Sequence, residues 1–323
     1  MKYYPWHESF RERITQQFNN RKLAHAILFA GPEFLGKVDF AKALSKQFLC
    51  TAAAESGACG ACPSCLLIRA GTHSDLRLVQ PEDSKQIKID QIRDLIGWVS
   101  QTAQRSGMKI AIVSPAEQMN HQSANALLKC LEEPAPNTLI FLVTARPGSL
   151  LPTIRSRCQA YNFSAPDREI ALAWLEQQTN PGPDSSLMLD ISGGAPLAVL
   201  TRFGDDYLDR RQQVITAVTQ VLTGTGVPLE SATVLLKFEM DEVLEIILGI
   251  LSDSLKYKLS PSVKSLKNRD VETEISAVSR DCGTNFLFSA FDRANADLKV
   301  ARSTSNPNKA LLLESLMIDL ADC

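Results

Sequence analysis

Two groups of residues have the types and spacing to do chemistry. The first is Cys50, Cys59, Cys62 and Cys65, a C-x8-C-x2-C-x2-C run. Thiolates two residues apart on a tight turn can share one metal, and four of them close a tetrahedral shell around Zn²⁺ at about 2.3 Å per bond. Gly57, Gly60 and Pro63, with the small Ala58 and Ala61, supply the turn-rich chain such a knuckle needs. Four sulfurs leave no position for water, so zinc there is structural. Its binding contributes on the order of 10 kcal/mol where a small excursion has no apolar core. An iron–sulfur cluster is a competing occupant, because C-x2-C-x2-C opens a ferredoxin run; the fourth cysteine of that run is replaced by Arg69. Unligated thiols are the remaining reading.

The second group is Gly31-Pro-Glu-Phe-Leu-Gly36-Lys37, a G-x-x-x-x-G-K string between an apolar run and a helical pattern. Glycines let backbone N–H groups close on phosphate oxygens, the helix N-terminus adds partial positive charge, and Lys37 can reach the β and γ phosphates. The next position should offer a hydroxyl to Mg²⁺, and it is Val38. The partner strand should end in acids that hold the metal and orient water. Here 110–113 runs into Ser114 and Pro115, with Glu117 two positions late. Gly31, Gly36 and Lys37 are therefore expected to keep the shape of a phosphate loop while binding ATP or ADP weakly or not at all.

The elements that must position these groups alternate. Strand-length apolar runs at 25–30, 76–79, 109–113, 139–143 and 161–163 are separated by helical patterns at 38–49, 89–99 and 123–131. Apolar strands separated by helices predict an α/β domain with a parallel sheet covered on both faces. After residue 164 the strand signal fades. A helix at 168–177, a break at Pro181-Gly-Pro-Asp184 and a Gly193-Gly-Ala-Pro196 turn into a further helix follow. Beyond about Tyr207 the long patterns have a period near 3.6, including 243–251 and 310–320, with a probable loop at Pro261. Asn306-Pro307-Asn308 caps the last helix, and Leu313, Leu316, Met317 and Leu320 form its apolar stripe.

The 323 residues suit two or three domains, and 45% hydrophobic with 22% charged is ordinary globular composition. A net charge of −2 excludes a strongly basic nucleic-acid coat or a polybasic membrane anchor. No apolar run approaches the roughly 18 residues of a spanning helix, and charges interrupt the first residues where a signal peptide would be apolar. A cytosolic chain without a membrane partner is expected. Its eight cysteines are then metal ligands or free thiols rather than disulfides, with Cys130, Cys158 and Cys282 as core filler and Cys323 at the end.

Five strings in order carry a resemblance: Tyr4-Pro5-Trp6; Leu23-Ala-His25-Ala-Ile-Leu-Phe-Ala-Gly31-Pro; Ala70-Gly71-Thr72-His73-Ser-Asp75; Ala124-Asn-Ala-Leu-Leu-Lys-Cys-Leu-Glu-Glu-Pro134; and Ile154-Arg-Ser156-Arg157-Cys158. With the cysteine insert after the first phosphate-loop helix, and the last helix from Asn308, the chain resembles the AAA+ clamp-loader subunits of bacterial DNA polymerase III. The resemblance implies an AAA+ α/β domain with a five-stranded parallel sheet (1–165, zinc insert about 50–65), a small helical lid (166–206) and a helical collar that oligomerises (207–323). It implies a five-subunit ring with motor (gamma/tau) and delta subunits as neighbours, transient contact with the sliding clamp, and primer–template DNA bound through the complex.

Motor subunits of this family hydrolyse ATP. Val38, Ser114 and Pro115 fit a ring member that does not, as does Pro196 where motors carry a lid arginine. No catalysis is then expected of the isolated chain, although its family belongs to a DNA-directed DNA polymerase assembly. Arg157 matches the family arginine that reaches the neighbour's ATP. A guanidinium presents a planar fork to γ-phosphate oxygens and neutralises charge developing in the transition state. Its alternative is a surface or interface salt bridge. The alternative for the whole chain is an ATP-hydrolysing motor with unusual metal handling. Arg105 and Lys109 flank a loop where motors place phosphate contacts, and read either as that or as a solvated loop. Glu132 and Glu133 read as structural or interface carboxylates, and His25 and His73 as core or turn residues.

Overall fold

A computed structural model describes residues 3–54, 57–82, 84–178, 184–204, 206–260, 266–302 and 308–323. The chain divides into two compact units, 1–177 with 195–197, and 178–194 with 198–323.

The first unit is built on five strands: β1 (Ala26–Ala30), β2 (Leu76–Val79), β3 (Lys109–Val113), β4 (Thr138–Thr144) and β5 (Gln159–Asn162). They form one sheet in the order β2-β3-β4-β1-β5, and every pairing is parallel. Every residue of β1, β3 and β4 is buried, as strands sandwiched between helices must be. The α/β fold with a five-stranded parallel sheet expected of an AAA+ domain is the one observed. The edge strand β5 begins two residues earlier than its apolar run because half of it is polar: Tyr161 is buried, whereas Ala160 and Asn162 are exposed.

Seven α-helices accompany the sheet among the described residues: α1 (Glu8–Asn19), α2 (Lys37–Leu49), α3 (Pro63–Arg69), α4 (Ile89–Val99), α5 (His121–Glu132), α6 (Pro152–Arg155) and α7 (Arg168–Glu176). Ile92, Leu95 and Val99 of α4 and Leu127 and Leu131 of α5 pack with Ala111, Val113, Ile140 and Leu142 of the sheet. Asn120 starts α5 by accepting the Ser123 N–H on Oδ1 at 2.8 Å. The register sets Ala30 beside Thr144, and Leu142 beside Val113. The carboxyl ends of β1, β4 and β3 therefore lie in a row, where open parallel sheets present their ligand crevice.

The second unit is helical among its described residues. Its main helices are Tyr207–Leu222, Pro228–Leu235, Met240–Leu259, Glu272–Asp281, Thr284–Ala301 and Lys309–Leu320. Their stripes meet in one core that includes Val218, Ile247, Ile250, Ile275 and Leu287, together with the expected Leu313, Leu316, Met317 and Leu320. Asn308 caps the last helix, its Oδ1 accepting the N–H groups of Ala310 and Leu311. Asn306, Pro307, the break at 181–183 and the loop at 261–265 lie outside the described residues. One expectation is corrected. Cys282 and Cys323 are joined as a disulfide, with Cα atoms 5.1 Å apart. The last helix folds back onto the core and brings the terminal cysteine to buried Cys282, a meeting that a separation of 41 residues could not announce.

A buried polar hub ties this unit together. Asp253, fully buried, accepts the N–H groups of Lys267 (2.9 Å) and Asn268 (2.8 Å), the Asn268 amide (2.9 Å) and the Lys256 ammonium (2.9 Å). Asn268 Oδ1 in turn accepts from buried Arg211 at 2.9 Å, and Asp270 shares that guanidinium. Asp253→Ala strands several buried donors at once. It is expected to lower unfolding free energy by about 3–5 kcal/mol, read as a drop in the denaturant midpoint.

Candidate functional site

The phosphate-type loop leaves β1 and enters α2, and its shape is glycine-dependent at two points. Gly31 has φ +139°, and a Cβ there would lie 2.1 Å from the Phe163 carbonyl oxygen. Gly36, the N-cap of α2, has φ +74°, and its Cβ would lie 2.4 Å from Tyr4 Cε2. The chain's own start thus presses on the loop. Tyr4 stacks on Trp6 (centroids 4.9 Å apart), and Trp174 of α7 stands edge-on to both, at 5.5 and 5.2 Å. Tyr4 Oη donates to Asp39 at 3.2 Å. Trp6 Nε1–H donates to the Leu35 carbonyl at 3.0 Å, and His7 Nε2 reaches the same oxygen at 2.8 Å. A carbonyl offers no hydrogen, so Nε2 carries the ring proton. Burial holds His7 neutral, its pKa lowered to about 4 against the weaker pull of the Leu35 carbonyl and Asp39.

Beside this aromatic cluster, a cavity of about 340 Å³ is lined by Lys37, Val38, Ser114, Glu117, Thr144 and Arg146, among others. Lys37 donates to the Pro32 carbonyl inside its own loop. Burial brings its ammonium down to about 8, opposed by the charges of Glu117 and Glu33. Val38 offers the cavity only hydrocarbon. Glu117 faces the exit of β4: its Oε1 accepts the Ala145 N–H at 3.0 Å and lies 3.8 Å from Arg146 Nε. Its Oε2 is buried without a hydrogen bond. Gly31, Gly36 and Lys37 are thus brought together at the row of strand ends, and Ser114 and Pro115 occupy the end of β3.

The four expected cysteines also converge. Their Sγ atoms lie within 4.8 Å of one another, with Cys50 Sγ 3.5 Å from that of Cys59 and 3.7 Å from that of Cys62. A tetrahedron with 2.3 Å bonds has edges of about 3.8 Å, so the separations suit one shared ion. Backbone N–H groups of Cys59, Cys62 and Cys65 point at the sulfurs of Cys50, Cys59 and Cys62 in turn, at 3.3–3.5 Å. The Cys65 N–H, with the Thr51 hydroxyl, draws the Cys62 thiol down to about 5, whereas burial pushes Cys65 up to about 12. A bare cluster would mix thiolate and thiol. A divalent cation would displace every proton.

Arg157 lies apart from both groups. Its guanidinium pairs with Glu132 at 2.7 Å and donates to the Thr153 carbonyl at 3.0 Å, and both partners of the ion pair are partly exposed. The pairing gives Glu132 a role the sequence left general. His25 bonds the Leu131 carbonyl at 2.9 Å, and His73 is buried, both in agreement with core or turn duties. Lys109 departs from both sequence readings, the solvated loop and the phosphate contact. It is buried, its Nζ donating to the Trp98 carbonyl at 2.6 Å and lying 4.6 Å from the Trp98 ring centroid. Arg105 is exposed. Tyr4, Trp6, His7 and Trp174 were missed as site residues. The adjacent aromatics near the start were the available signal, but Trp174 joins them from far along the chain.

A parallel sheet that delivers a glycine–lysine loop to a helix N-terminus, with a four-cysteine knuckle inserted after that helix, defines an α/β phosphate-loop domain lacking the usual metal-handling pair. Residues 6–167 match the family model described as "DNA polymerase III, delta subunit", and residues 205–322 match "DNA polymerase III, delta subunit, C terminal". The DNA polymerase III subunit delta' of Pseudomonas aeruginosa is 35% identical over 98% of this chain and 97% of its own length. That of Haemophilus influenzae is 36% identical over 79% and 78%, and that of Escherichia coli 33% over 68% and 66%. The chain belongs to the DNA polymerase III delta' subunit family.

The neutral His7 ring makes the aromatic cluster sensitive to acid. Above pH 6.5 the ring is neutral in the folded and the unfolded chain. Between 6.5 and about 4 the unfolded chain takes up a proton that the folded chain refuses. Stability should therefore fall on acidification by up to about 3 kcal/mol. Denaturant midpoints across this range should show the slope, and His7→Gln, which keeps a donor for Leu35, should flatten it.

Proposed function

We propose that this chain is the non-hydrolysing member of the clamp-loader ring, completing a neighbour's ATP site through Arg157 without turning over ATP in its own. The observation that carries the reading is the joint loss of both metal-handling positions around a loop that keeps its shape. Val38 cannot ligate Mg²⁺, Ser114 and Pro115 supply no carboxylate, and Glu117 is occupied with the Ala145 N–H. Lys37 is spent on Pro32, and Tyr4 covers Gly36, so any ATP or ADP would first have to displace the chain's own contacts. Nucleotide at Gly31, Gly36 and Lys37 is accordingly weak or absent.

Arg157 suits a role in trans because its present partner is easily exchanged. A solvent-exposed ion pair contributes at most about 1 kcal/mol. A γ-phosphate offers the same fork two oxygens and more charge. In this reading the chain is bracketed in the ring by motor (gamma/tau) and delta subunits, and the ring opens the sliding clamp when ATP is bound and releases it on primer–template DNA after hydrolysis. Residues 166–206 would serve as lid and 207–323 as collar, in the bacterial cytoplasm. Cys50, Cys59, Cys62 and Cys65 would hold one Zn²⁺, which supplies a fixed crosslink and no reaction chemistry. Among the described residues no helix is long and apolar enough to cross a membrane.

Rebuilding the ring with Arg157→Ala should slow ATP turnover at the adjacent motor site on the order of 10³-fold or more, the scale of trans arginines in GTPases. Unchanged turnover and clamp loading would remove the finger role. The isolated chain with Mg²⁺ should show no steady-state ATP hydrolysis. Elemental analysis of the purified chain should find about one zinc per molecule, and an iron–sulfur absorbance band would replace that assignment.

A further inference from the structure

Buried Asp75 immediately precedes β2, yet its carboxylate serves a segment far along the chain. It accepts three consecutive backbone N–H groups: Gln104 at 2.8 Å, Arg105 at 2.8 Å and Ser106 at 3.0 Å. These bonds hold the carboxyl below its ordinary range against the opposing effect of burial. The loop that carries exposed Arg105 is thereby wrapped around one buried anion.

The same loop is stitched to the cysteine knuckle. His73 Nδ1 accepts the Asp75 N–H at 3.1 Å, which leaves Nε2 as the protonated nitrogen. Nε2 faces two hydroxyls, Ser64 Oγ at 3.2 Å and Ser106 Oγ at 3.4 Å. Ser106 Oγ passes its own hydrogen to the Leu49 carbonyl at 3.4 Å. Leu49 immediately precedes Cys50, and Ser64 immediately precedes Cys65. Both ends of the cysteine cluster therefore reach residue 106 through hydrogen bonds, one directly and the other through the His73 ring.

We infer that the metal-bound knuckle sets the conformation of the 104–106 loop, with His73, Ser106 and Asp75 as the positioning residues that fix Arg105 on the surface. The inference rests on the reading of the four cysteines as a metal site. Without an ion, nothing covalent holds Leu49 and Ser64 at their present separation. Residues 50–65 bury few side chains of their own, chiefly Ser64 and Cys65 among the described ones. Loss of the metal would thus loosen Ser64 relative to Leu49, which α2 keeps in the core, and open one side of the bracket around Ser106. The Asp75 carboxylate and the Leu49 carbonyl would remain, holding a loop whose link through the His73 ring had slackened.

The test is hydrogen exchange on the full chain, with metal content measured on the same samples. Chelation that removes the ion should speed exchange at the amides of residues 104–106 at least tenfold, while β4 keeps its protection. His73→Phe, which fills the ring's space but cannot bridge the hydroxyls, should loosen the same amides with the metal still bound. Arg105→Ala, which leaves every anchor in place, should change neither protection nor metal content. Ready metal loss with residues 104–106 as protected as before would overturn the coupling and leave the metal site standing. A purified chain that carries no metal, and whose loop does not respond to added Zn²⁺, would overturn the metal reading and the coupling with it.

Discussion

The loop between β1 and α2 is held by partners from within the chain, which meet the charge of its lysine and one of its carbonyls. A lysine at a helix N-terminus is positioned to meet anionic oxygens, and burying it alone is unfavourable. Lys37 instead turns back onto the Pro32 carbonyl and faces the field of Glu117. The glycine that would let a ligand approach the backbone is covered by the Tyr4 ring, and Leu35 takes two hydrogen bonds from Trp6 and His7. The loop thus keeps its shape through contacts with the residues packed around it.

The sequence made much of this legible. Periodicity and turn residues located the strands, and parallel pairing followed from their apolar character on both faces. The cysteine spacing located the knuckle because ligands close in sequence are close in space. Contacts between distant segments were hidden. Trp174 reaches the Tyr4–Trp6 pair, Glu117 reaches Ala145, and Glu132 reaches Arg157, each through packing that no local pattern encodes. Lys109 reads as an exposed cation in sequence, but its aliphatic stem lies in the core and its ammonium emerges against an indole face. Cys282 and Cys323 illustrate the same limit: compartment and composition argued for thiols, and helix packing joined them.

The two units divide labour in their polar interiors. In the first, carboxylates serve loops beside the strands: Asp75 gathers three backbone donors, and Glu117 accepts one. In the second, buried Asp253, Asn268 and Arg211, with Asp270 at the surface, join helices to a connecting segment. Buried charge of that kind is expensive unless every member is paired, and here the donors and acceptors match closely.

The described part of the stretch between Cys50 and Cys62 takes its shape from its cysteines and from two glycines at positive φ, Gly57 (+124°) and Gly60 (+77°). A Cβ added at Gly60 would meet no atom within 4 Å, Ala53 and Ala54 are exposed, and the N–H groups of Cys59 and Cys62 are aimed at sulfurs. At exposed positions such as Ala53 and Ala54 such a segment can acquire new surface chemistry without disturbing the domain beneath it. The cysteines and the two glycines fix the knot, and the outward-facing residues between them are its loose string.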